Sequence, residues 1–183
     1  NGQVPKETVR GILDLAAETG IDLLDTAALY GESETVLGHL LPETHPFAIV
    51  TKTAKVSGDT VSADDLDSFQ DIFDRSLQRL NQSSVYGLLM HQVDDLFKPG
   101  GHNLLEFLKR NKAGGRVERI GISVYTAGQI RSALELFTPD LIQLPVNVLD
   151  QRLITRGMLR ELAERHIEIH ARSVFLQGLL LMP

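Results

Sequence analysis

Apolar positions along the chain recur with two periods that take turns. In "PKETVRGILDLAAETG" (5–20), Val9, Ile12, Leu13 and Ala16 stand at helical spacing, with a proline at the start and a glycine at the end. "IDLLD" (21–25) then reads as a buried strand and "ESETVLGHLL" (32–41) as a short helix. "PFAIVTK" (46–52) is a second strand. "SADDLDSFQDIFDRSLQRLN" (62–81) has Ser62 as N-cap, acids in its first turn and arginines towards its end, so it predicts a helix. The same exchange repeats through strand 83–91, helix 103–115, strand 116–123, helix 126–137, strand 140–147, helix 155–166 and strand 167–174.

Six strands interleaved with helices at short spacing predict an α/β fold with a parallel sheet covered on both faces. Two architectures compete. An open doubly wound sheet calls for a glycine-rich turn after the first strand, and "LLDTAALYG" is not one. A (β/α)8 TIM barrel calls for polar residues at the C-terminal ends of several strands. Asp25, Lys52, His91, Ser123, Asn147 and the pair Arg172-Ser173 occupy those ends in turn, which selects the barrel. A full barrel takes about 250 residues, so 183 residues are expected to form one domain over 1–183 holding about strands 2 to 7. A six-stranded protein complete in itself is the alternative, and it would leave two apolar sheet edges unpaired.

Composition narrows the function classes. With 43% hydrophobic and 23% charged residues the chain is expected to be soluble and globular. The net charge of -6 gives no basic face for nucleic acid. No apolar run spans a bilayer, and "NGQVPKETVR" has neither the basic start nor the apolar middle of a signal peptide. The absence of cysteine removes disulfides, thiolate catalysis and cysteine-ligated metals, and fits an expected cytoplasmic location. The histidines share no metal-ligand spacing, so no metal site is expected.

In a barrel, Asp25, Tyr30, Lys52 and His91 come to one cavity from the ends of three successive strands. A tyrosine, with an ordinary pKa of about 10, is a poor acid at neutral pH. A neighbouring ammonium favours the phenolate, and a lysine buried there keeps its charge only beside a carboxylate. A histidine can orient a carbonyl oxygen. The four residue types suit protonation of a carbonyl oxygen while a second agent delivers hydride.

"GIDLLDTAALYGESETVLGHLL", "VTKT", "LLMHQVDDL", "RIGISVY", "IQLPVNVLDQR" and "ARSVFLQGLLL" together resemble the aldo-keto reductases, in order and over nearly the whole chain. The resemblance implies Tyr30 as general acid, Lys52 and Asp25 as the pair that tunes it, and His91 as the residue that orients the carbonyl. It implies a nicotinamide cofactor, NADPH rather than NADH, whose carboxamide Ser123 and Gln143 hold. Two positions depart from the family pattern. Val124 replaces an asparagine that also contacts the carboxamide, and Arg172 stands where an aromatic residue usually stacks on the nicotinamide ring, with Ser173 beside it. An arginine plane can take that stacking place.

The resemblance therefore implies an NAD(P)H-dependent oxidoreductase that interconverts a small aldehyde or ketone with an alcohol. The alternative is a cofactor-binding regulatory protein on the same fold that acts through partners. Asn147 and Asp150 either line the substrate pocket or form a turn, and Gly121 is expected to serve close packing.

Overall fold

The computed structural model describes residues 4–182; the first three residues and Pro183, part of the single domain expected over 1–183, lie outside the described residues. Helices and strands alternate from α1 (Lys6–Glu18) through β1 (Leu23–Asp25), α2 (Ser33–Leu40), β2 (Ala48–Lys52), α3 (Ala63–Leu80) and β3 (Val85–Met90). They continue through α4 (His102–Ala113), β4 (Val117–Ser123), α5 (Ala127–Leu136), β5 (Leu141–Pro145), α6 (Arg152–Thr155), α7 (Met158–Glu164) and β6 (Glu168–Arg172). All six strands pair in parallel and in sequence order.

Local chemistry sets the bounds of α3 and the break between α6 and α7. In α3 the Ser62 hydroxyl accepts from the Asp65 amide while the Asp65 carboxylate accepts from the Ser62 amide, a reciprocal cap that satisfies two otherwise orphaned donors. Its apolar stripe, Phe69, Phe73, Leu77 and Leu80, packs on the sheet, and the helix ends at Asn81 in the left-handed conformation. The helix expected over 155–166 is interrupted: Gly157 has φ 70°, so α6 and α7 are separate.

Two apolar layers hold the sheet. The larger lies between strands and helices and includes Ile49, Leu88, Met90, Ile122, Ile142 and Leu144. A smaller one, Val50, Leu89 and Leu141 with Leu23 and Tyr86 against it, fills the other face. Gly121 serves close packing, as expected: a Cβ there would sit 2.0 Å from the Leu141 carbonyl oxygen, so β4 and β5 approach closely only without one.

The sheet curls, because strands that are not neighbours touch across its second face. Gln143 of β5 donates to Asp25 of β1 at 2.8 Å, and the Tyr86 hydroxyl of β3 donates to Glu168 of β6 at 2.5 Å. The result is a half-barrel of six strands with helices outside.

Candidate active site

The segment between β1 and α2 folds back on itself. The Thr26 side chain, fully buried, donates to Ser33 at 3.0 Å. The Tyr30 amide donates to the Ala27 carbonyl at 3.0 Å and the Ser33 amide to the Tyr30 carbonyl at 3.1 Å. Gly31, at φ 56°, occupies the left-handed region that glycine enters without penalty. These bonds return Tyr30 to the end of the strand it left.

Lys52 ends β2 and is 2% exposed. Its Nζ donates to both carboxylate oxygens of Asp25 at 2.7 Å and to the Thr26 carbonyl at 2.8 Å, so each of its protons has an acceptor. The Tyr30 ring lies over this ammonium, with 4.8 Å from Nζ to the ring centroid. The His91 ring meets the Tyr30 ring edge-on, with centroids 5.7 Å apart. All four residues named from the sequence are therefore brought together at the C-terminal ends of β1, β2 and β3.

His91 is fixed through its backbone, whose amide donates to the Thr53 hydroxyl at 3.2 Å. Its Nδ1 is buried and has no hydrogen-bond partner among the described residues. Burial, and then the positive charges of Lys52 and Lys55, hold the His91 pKa below its ordinary value, so the ring is neutral at neutral pH.

The remaining residues named from the sequence continue the same rim. Ser123 ends β4 and pairs in register with Gln143 of β5; Arg172 ends β6 opposite Pro145, with Ser173 next to it. Ser123 and Gln143 are buried. The Arg172 guanidinium lies over the Tyr125 ring, Cζ to centroid 4.1 Å, and donates to the Val124 carbonyl at 3.2 Å. Asn147 and Asp150 form a turn: the Asn147 side chain accepts from the Leu149 and Asp150 amides at 2.9 Å, and Asp150 binds Arg152.

Sequence reasoning did not find three contacts that shape the rim. One is the Gln143–Asp25 hydrogen bond. The second is Glu34 of α2, 1% exposed, which accepts from Thr51 at 2.7 Å and from Arg79 Nε at 2.9 Å and so ties α2 behind β2 and α3. The third is the anchoring of Tyr125, whose amide donates to Gln129 Oε1 at 2.9 Å while Gln129 Nε2 donates to Asp94 at 3.1 Å. Only Tyr125 carried a visible signal, an aromatic residue two positions beyond a strand-end serine.

Among the described residues no group of three or more histidine, aspartate or glutamate side chains is placed to hold a metal ion. No described helix is long and apolar enough to cross a membrane.

The half-barrel has counterparts among known proteins. The chain superposes on an aldo-keto reductase, AKR11C1 from Bacillus halodurans, with a TM-score of 0.79 and 22% identity, over 97% of this chain and 61% of that one. It superposes on a proposed aldo-keto reductase from Pseudomonas aeruginosa with a TM-score of 0.78 and 24% identity, over 94% of this chain and 66% of that one. It also superposes on a mutant of Gox0644 in complex with NADPH, with a TM-score of 0.72 and 19% identity, over 99% and 64%. The chain thus spans less than two thirds of the length of each, and the shared part is an incomplete (β/α)8 barrel. The sequence profile of the Aldo/keto reductase family matches residues 1–182. On that match the chain belongs to the aldo/keto reductase family.

Proposed function

We propose that the protein reduces a small aldehyde or ketone to the alcohol, reversibly, with NADPH as hydride donor in preference to NADH. The observation that carries this reading is Lys52: a buried ammonium held by Asp25 and the Thr26 carbonyl directly beneath the Tyr30 ring. Burying a charge is costly unless it is fully paired, and a strand-end lysine has no packing need for such a place.

Tyr30 donates its phenolic proton to the carbonyl oxygen as the oxygen gains negative charge. The Lys52 ammonium lies beside the ring, where negative charge develops in the transfer, and Asp25 holds it in place through two hydrogen bonds. His91, neutral and edge-on to Tyr30, orients the carbonyl oxygen with a hydrogen bond.

The donor set fits a nicotinamide. Ser123 offers a hydroxyl, and Gln143 keeps its carbonyl oxygen free for a carboxamide N–H while its nitrogen serves Asp25. Arg172 offers a flat face beside them, with Ser173 next along the rim. When bound, the cofactor supplies the hydride; the protein supplies position and proton. Val124 lacks a polar side chain, so Ser123 and Gln143 would hold the carboxamide without help from that position.

The test follows nicotinamide absorbance with the full-length protein and a panel of small aliphatic, aromatic and sugar-derived aldehydes and ketones, with NADPH and NADH in parallel. Turnover with at least one carbonyl and with NADPH favoured is expected. Tight NADPH binding with no turnover on any carbonyl would replace this reading with the regulatory one.

A further inference from the structure

We infer that Arg172 makes the site discriminate between the two oxidation states of the nicotinamide, holding the reduced cofactor more tightly than the oxidised one. The inference rests on the cofactor reading above and concerns a charge that this reading leaves without a task.

Arg172 is the last residue of β6 and shares a face of that strand with His170 and Glu168. Both of its partners are uncharged: the Tyr125 ring at 4.1 Å and the Val124 carbonyl at 3.2 Å. The Tyr125 backbone amide donates to Gln129, which in turn donates to Asp94, and the exposed Tyr125 ring covers one face of the guanidinium plane. Arginine stacks on a flat ring in this way and keeps its charge at every accessible pH.

Of the other charges around the rim, Asp150 is bound by Arg152 and the Asp94 carboxylate accepts from Gln129. Lys52 is bonded to both oxygens of Asp25, and His91 is neutral at neutral pH. Deeper on β6, Glu168 accepts from Tyr86 and binds His170. Lys55 is exposed to solvent, where screening weakens its reach. The cation presented next to Ser123 and Gln143 is therefore Arg172.

A nicotinamide ring carries a positive charge when oxidised and none when reduced. A guanidinium beside it repels only the oxidised form. An aromatic side chain in the same place would do the reverse, because its face attracts cations. Arg172 thus sets the sign of the preference, and the oxidised cofactor leaves more readily after hydride transfer.

The experiment measures dissociation constants of NADPH and NADP+ for the full-length protein by fluorescence and calorimetry. Wild type, Arg172→Gln, Arg172→Lys and Arg172→Tyr are compared through the ratio of the oxidised to the reduced constant. That ratio is expected to fall roughly tenfold in Arg172→Gln, a change of about 1.4 kcal/mol. It stays within about threefold of wild type in Arg172→Lys, which keeps the charge, and falls further in Arg172→Tyr. In wild type alone, raising the salt concentration lowers the ratio, because the phosphates are common to both forms and cancel. A ratio that Arg172→Gln leaves unchanged, or one that salt does not move in wild type, overturns the inference while the cofactor reading stands. Failure of wild type to bind either form overturns both.

Discussion

Replacing Asp25 by asparagine isolates the electrostatics of the site. The side chain keeps its shape, but the Lys52 ammonium, 1% exposed at its side chain, loses the only charge bonded to it among the described residues. At 2.7 Å and an effective dielectric near 20, the gross attraction is about 6 kcal/mol. Most of it does not reach the stability. The Asp25 side chain is 36% exposed, so solvent screens it, and the Thr26 carbonyl still accepts one proton of the ammonium. A cost of about 2 kcal/mol remains, below the range of roughly 3–5 kcal/mol for breaking a fully buried pair. Lys52→Met removes the buried charge and fills the space, and it leaves Asp25 its bond from Gln143; about 1 kcal/mol is expected. The double variant has no charge to strand, so it should be more stable than Asp25→Asn alone. Urea unfolding of the four proteins at neutral pH gives the cycle. A double variant no more stable than Asp25→Asn would show that Lys52 is not held as a buried cation.

Two further outcomes test the frame that carries the site. Burial, and then the hydrogen bond to the Glu168 carboxylate, push the Tyr86 phenol up to about 12. A pKa raised on folding from 10.0 means stability fully present below that value and lost as the pH climbs towards about 12. Tyr86 is half-buried, so about 1–2 kcal/mol of that loss is expected in wild type and none of it in Tyr86→Phe; equal alkaline slopes in urea unfolding would contradict it. Gly121→Ala places a methyl 2.0 Å from the rigid Leu141 carbonyl, so β4 and β5 must separate. A loss of about 3 kcal/mol or more, or no soluble protein, is expected, and unfolding like wild type would refute the close approach.

The alternation of periods was enough to read the order of strands and helices, because buried parallel strands and amphipathic helices leave different apolar spacings. It was not enough for the break at Gly157, since Ile154, Met158 and Leu162 keep the helical spacing across it. Asp25, Lys52 and His91 were legible because each ends a strand, where a polar residue in an apolar run stands out. The bonds Gln143–Asp25 and Tyr86–Glu168 were not legible. Their partners are separated by 118 and 82 residues, and only the curl of the sheet brings them together. Arg172 was legible as a departure from a family pattern, but its stacking on Tyr125 depends on how the ends of β4 and β6 face each other. Glu34 stands in the first turn of α2, and its burial follows from its bonds to Arg79 on α3 and Thr51 on β2, which no local pattern shows.

Proton transfer from Tyr30, held beside Lys52 and His91, is the step on which the proposed activity depends. Single-turnover oxidation of bound NADPH by a reactive aldehyde, compared between wild type and Tyr30→Phe with the cofactor dissociation constant measured alongside, tests it directly. The rate is expected to fall roughly 10²–10⁴-fold while the dissociation constant stays within about twofold of wild type, since the ring and its packing remain. A Tyr30→Phe protein that turns over at the wild-type rate would contradict it.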